Sequence, residues 1–261
     1  MRNLKIFLSG FKLSLLRDMS YKANFLIRFL SDSIFIVIYY VFYSVIYSHV
    51  SYINGWSKYE VILLMGTFHI VISLFLAFFF PNLSQIPRLI VEGRLDYYLL
   101  KPVKAQFLVS LRYTDIGSLG NIILGAVLVV SSCRRLGISL SLPAVILYLL
   151  YVFLGVLLLY SILFIMVSTA FWLQDSSWSI GFFMTFNSFA DKPIGIFRGG
   201  LYRFLVYLFP IGLVANVPAS SILGKNSFPL GFWMIVSTLA MLGISAYVWR
   251  EGLKLYEGAS S

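Results

Sequence analysis

Two histidines, His49 and His69, stand twenty positions apart in this 261-residue chain, and neither sits in an HExxH run. Metal ligands on one helix face need spacings of three or four residues, so these two hold no ion between them. The single Cys133 excludes an internal disulfide and a cysteine-based metal cluster. No GxxxxGK[ST] occurs, so the chain binds no nucleotide through a P-loop. No serine lies in a GxSxG turn, and no carboxylate pair is placed for hydrolysis. The expectation is a chain with no catalytic residues, no metal ligands and no cofactor of its own.

The polar residues that remain as candidates lie in apolar surroundings. His69 follows Thr67 and Phe68 inside an apolar run, where an ionisable group reads either as a functional site or as a hydrogen-bonded packing residue. Arg28 and Asp32 are four apart and share a helical face, which lowers the cost of each charge. That pair reads as structural, or as a substrate or proton site. Asp115 and Asn121 are polar enough to face a partner helix or a pathway, and Gly117 and Gly125 permit close helix approach. With so few acids in apolar segments, a proton-driven carrier lacks its usual relay.

The elements that must position these residues follow from composition. Hydrophobic residues make up 60% of the chain and charged residues 11%, with a mean hydropathy of +0.90. Soluble chains carry about 25% charged residues, too many more for this chain to build a water-facing surface. The fold class is therefore all-α integral membrane, in one domain over residues 1–261. Twenty Lys and Arg against ten Asp and Glu give +10, but the cations sit mainly between apolar segments. Membrane lipid headgroups account for them, and no basic polar domain exists to bind nucleic acid.

Apolar runs of about 20 residues mark the spans. They fall at 24–47, 59–80, 113–131, 143–173 and 229–249. Residues 1–22 are too often interrupted by charge for a cleaved signal. Leu4, Phe7, Leu8, Phe11, Leu15 and Met19 share one face, which predicts an amphipathic interfacial helix. Residues 176–223 allow two readings. In one, 176–197 is the fifth span and 198–223 forms broken re-entrant helices around Pro210 and Pro218; in the other, 201–223 crosses. Both give six crossings. The loops before the first span and between the second and third hold most cations, so both termini are expected in the cytoplasm of a cell-membrane protein.

The loop between spans two and three is longer than a connection needs. Ser84 can cap a helix over 84–100 whose first turn accepts Pro87, and Pro102 ends it. Ile86, Leu89, Ile90, Gly93 and Tyr97 line one side, while Arg88 and Glu92 can pair on another.

Three stretches are familiar. Glu92-Gly93-Arg94-Leu95-Asp96-Tyr97-Tyr98-Leu99-Leu100-Lys101-Pro102-Val103 resembles the EGxLDxxLLKPV run of ABC-2-type transporter permeases. Pro193-Ile194-Gly195-Ile196-Phe197 with Arg203, Pro210 and Asn216-Val217-Pro218-Ala219 is similar to a second run of that family. Trp249, Gly252, Leu253, Tyr256 and Gly258-Ala259-Ser260 resemble its ending. One departure is Phe197, where Tyr is common.

The resemblance implies six spans, an interfacial first helix, a cytoplasmic coupling helix and re-entrant helices before the last span. It favours the reading with helix breaks at Pro210 and Pro218. It further implies a permease that exports, paired with a second permease, identical or related. Separate cytoplasmic ATPase subunits holding ATP and Mg would drive it. On that reading 84–100 inserts into the ATPase with Arg88, Glu92, Arg94 and Asp96 as its polar surface, Leu95, Tyr97 and Tyr98 as anchors, and Gly93 on the apolar side. A membrane scaffold without a transport path and a membrane enzyme are the competing classes. The cargo is not written in the sequence.

Overall fold

The computed structural model describes residues 2–20, 22–173, 178–225 and 228–256; the side chains of 2–6, 18–19, 22–26, 28–29 and 32 lie outside that description. In chain order the first helices are α1 (Arg2–Ser20), α2 (Lys22–His49), α3 (Lys58–Phe78), α4 (Phe80–Leu83), α5 (Ile86–Val91), α6 (Asp96–Leu99) and α7 (Ala105–Leu111). Then come α8 (Ile116–Arg135), α9 (Leu142–Ser168), α10 (Trp178–Asn187), α11 (Gly199–Arg203), α12 (Leu213–Ile222) and α13 (Phe228–Leu255). No strand occurs among the described residues, and the chain is all-α.

Four helices among the described residues are long and apolar enough to cross a bilayer: α3, α8, α9 with its 3-10 extension to Phe171, and α13. Their ends follow local chemistry. The Ser57 N–H donates to Glu60 Oε2 at 2.8 Å before α3, Asp115 accepts from the Gly117 N–H at 3.1 Å to cap α8, and Ser141 accepts from Ala144 to cap α9. The expected 24–47 span lies within the 28 residues of α2.

The core is α3 surrounded by α8, α9 and α12. The most extensive pairing is α3 with α8, where a Cβ on Gly66 would stand 2.8 Å from the Gly125 carbonyl oxygen and one on Gly125 2.8 Å from that of Gly66. Lipid tails are as apolar as leucine, so such backbone approach is what holds two membrane helices together. Next to it the Thr67 and Tyr148 hydroxyls meet at 3.2 Å across α3 and α9.

Residues 176–223 differ from a simple span. The ten residues of α10 rise about 15 Å, half the hydrocarbon thickness of roughly 30 Å. The expected fifth span over 176–197 is not helical to its end: α10 stops at Asn187 and is followed by turns and the 3-10 turn Ile194–Ile196; residues 176 and 177 lie outside the described ones. Next, Gly199–Leu208, ending in a π turn, and Pro210–Ile222 are bent by 81°. Pro210 stands at that bend. Pro218 does not break a helix: it lies inside α12, where it removes the N–H that would bond the Val214 carbonyl. That carbonyl faces α9, 2.9 Å from where a Cβ on Gly155 would be, so glycine lets the neighbouring helix close over the gap.

Candidate functional site

The site is built where α3 and α8 hand the chain to the loop between them. Asn82 does the joining. Its side-chain amide donates to the Phe78 carbonyl at 3.0 Å and the Tyr113 carbonyl at 2.7 Å, and its Oδ1 accepts the Tyr113 N–H at 2.8 Å. The Asp115 N–H adds a bond to the Ala77 carbonyl at 2.8 Å. Both ends of the loop are therefore fixed to one point. From the side, α1 closes on it, with Ser14 Oγ accepting the Thr114 N–H at 3.1 Å.

The expected helix over 84–100 is two short helices. Gly93, at φ +68°, stops α5, with the Arg94 N–H returning to the Leu89 carbonyl at 2.9 Å and the Gly93 N–H to that of Ile90 at 3.1 Å. This is the glycine C-cap geometry that a side chain with a Cβ resists. The turn aims Leu95 inward, where it is fully buried. Its N–H donates to the Tyr256 hydroxyl at 3.1 Å, 161 residues on in the chain. Tyr256 sits against Phe171, which in turn packs on Trp249. Two of the family-like stretches, distant in sequence, thus form one joint.

What faces outward is a patch of mixed chemistry. Leu100 is 86% exposed, and Val91, Tyr97 and Leu99 are exposed beside it. Arg88 Nε donates to Glu92 Oε1 at 2.6 Å, the pairing expected from their spacing, and Arg94 adds a contact to Glu92 Oε2 at 3.3 Å. Those contacts hold the Glu92 carboxyl below its ordinary value, the Arg88 hydrogen bond contributing most. The Lys101 ammonium lies 3.9 Å from the Tyr97 ring centre and, by hydrogen bond and charge, holds that phenol below its usual range. Asp96 is half-buried. Leu95 and Tyr98, expected among the anchors for a partner, are buried instead, and Arg112 donates to the Tyr98 hydroxyl at 2.9 Å. Of the three, Tyr97 alone is exposed.

The other candidates lie apart from this patch. Arg28 and Asp32 are on α2, with side chains outside the described ones. His69 is half-buried on α3, its ring edge-on to Phe68 at 5.7 Å. Asp115 serves as the cap of α8, accepting from Gly117 and Ser118, and Asn121 is buried within α8. At the opposite end of the bundle, Asn216 Oδ1 accepts the Ile194 N–H at 2.9 Å and its amide donates to the Lys192 carbonyl at 2.9 Å, joining the two halves of the second family-like stretch. Asn82 was not singled out by sequence, and Asn216 and Tyr256 entered only as parts of the family-like stretches, without a role. Polar residues amid apolar runs were the available signal, but their partners are backbone groups far along the chain.

A family model described as ABC-2 family transporter protein matches residues 33–260. That is most of the chain, and the chain belongs to this family of membrane transporter proteins. No curated protein and no solved structure matches it. An all-helical, multi-pass membrane protein is what the bundle and the family together define.

Proposed function

We propose that the chain is the permease subunit of an ATP-driven exporter, forming half of the translocation path with a second permease, and powered by separate cytoplasmic ATPase subunits that hold ATP and Mg. The observation that carries this reading is the outward patch of Val91, Tyr97, Leu99 and Leu100 between Arg88, Glu92, Arg94 and Lys101. A lipid surface suits the leucines and the cations but not the exposed Glu92 carboxylate held between two arginines, whereas a protein groove suits all of them. The coupling surface is then a two-helix hairpin, with Leu99 and Leu100 taking the anchoring role that Leu95 and Tyr98 do not. Orientation follows: this patch and both termini face the cytoplasm.

The crossing number is part of the same proposal. Gly195 lies against the Asn54 side chain, and Lys225 Nζ donates to the Gly55 carbonyl and to Glu60, both at 3.0 Å. Residues 195–225 thus begin and end on the same turn, which supports a re-entrant segment and six crossings in all. The test is affinity purification in mild detergent with ATP hydrolysis assayed on the eluate. A stoichiometric P-loop ATPase is expected, lost from the Leu99→Ser, Leu100→Asp double variant while the permease itself stays folded. A chain that purifies alone, or with a non-ATPase assembly in every detergent, would move the scaffold reading ahead.

A further inference from the structure

Away from the loop patch, a groove with a volume of about 620 Å³ opens sideways between α1, α3, α7 and α9. Ten side chains line it and all are apolar. Val152 and Val156 lie one turn apart on α9 and Phe78 at the end of α3, so the groove runs along the helices rather than across them. Phe7 of α1 and Phe107 and Leu111 of α7 close its end near the loop. It has the volume of a ligand pocket, about 300–1,000 Å³, without the few convergent polar groups that a soluble ligand needs for orientation.

Charge is placed at that closed end. Lys104 precedes α7 and is exposed; helical spacing sets it one turn before Phe107. From Lys101 to Leu111 the sequence has two lysines and no carboxylate. On α1, Lys12 is exposed as well, while Arg17 is turned to the Thr114 carbonyl at 3.4 Å. An apolar slot running along the helices, with cations beyond one end, matches a single molecule with a hydrocarbon tail and an anionic head. A helix from a second copy fits less well, because Phe7 of α1 already fills one end of the groove.

We propose that this groove binds one acyl chain of an anionic glycerophospholipid from the leaflet on the loop side, with Lys104 beside the phosphate. The site needs membrane insertion and does not depend on the permease reading.

Native mass spectrometry of the whole chain, released from mild detergent, tests it with phosphatidylglycerol and phosphatidylcholine of equal chain length. The wild type should retain one phosphatidylglycerol per chain, about fivefold more strongly than phosphatidylcholine, as one lysine at a headgroup provides. Val152→Phe fills the slot and should abolish retention of both lipids. Lys104→Gln is a surface change that leaves folding intact, and should bring phosphatidylglycerol down to the phosphatidylcholine level. Equal retention of the two lipids by the wild type, or wild-type preference in Lys104→Gln, would overturn the proposal.

Discussion

At the loop face Asn82 ties Tyr113 to the end of α3, and at the opposite face Asn216 ties Lys192 and Ile194 to α12. The two stitches use the same chemistry, one buried amide satisfying backbone groups on a returning segment. Their surroundings are finished differently. Opposite the loop, Lys225 is taken up by Gly55, Glu60 and the Trp56 ring at 4.3 Å, so the segment closes on the protein itself. On the loop face the stitches are equally complete, yet Leu99 and Leu100 point away from the bundle beside exposed Arg88 and Arg94. One end is built to be finished alone. The other is tied down as firmly and leaves a surface exposed, which is what the proposed coupling to a partner would require.

The largest effect expected is from removing the stitches one at a time. Asn82→Ala leaves the part-buried Tyr113 N–H and two carbonyls without their partner, a loss of about 3 kcal/mol. Limited proteolysis should then cut within 84–112 and spare 188–225. Asn216→Ala should give the reverse pattern at a similar cost. Cleavage spreading over both regions in either variant would mean that the two faces are not separate units.

A smaller effect belongs to the joint with the last helix. Tyr256→Phe keeps the ring against Phe171 and removes the hydroxyl that accepts from Leu95, so thermal unfolding should register about 1 kcal/mol. Hydrogen exchange at the Leu95 amide should rise while the Ile194 amide stays as it was.

The smallest is electrostatic and confined to the exposed patch. Glu92 has its carboxyl lowered by Arg88 and then Arg94, so the ion pair is fully present at and above the ordinary carboxylate value and is lost as pH falls through the lowered one. In Arg88→Gln the Glu92 titration followed by carboxyl NMR should move upward, toward the ordinary value. No displacement would mean that the pair does not persist in solution.

Much of the bundle was legible because apolar length is a direct requirement of the bilayer. The runs at 59–80, 143–173 and 229–249 became α3, α9 with its extension and α13 with little change. Gly125 was legible as a close-packing residue, since helix association without a hydrophobic driving force needs small side chains. The loop was less so. Helical periodicity runs smoothly through 84–100, and the stop at Gly93 depends on a left-handed backbone that periodicity does not encode. Leu95 and Tyr98 look like exposed anchors until the Gly93 turn rotates them inward. Asp115 read as facing a partner helix or a pathway because the span was expected from 113, whereas α8 starts at Ile116 and Asp115 caps it. Pro218 looked like a break, and its cost is lowered by the close approach of Gly155 that no local pattern reveals.

The permease reading meets its most direct test in living cells, with a photo-crosslinking amino acid placed at Leu100 or, as the opposing position, at Tyr52, which is also exposed. Irradiation should join position 100 to a cytoplasmic P-loop ATPase and leave position 52 without that adduct. An ATPase adduct from position 52, or none from position 100 while the ATPase is present, would contradict both the orientation and the role of the loop face.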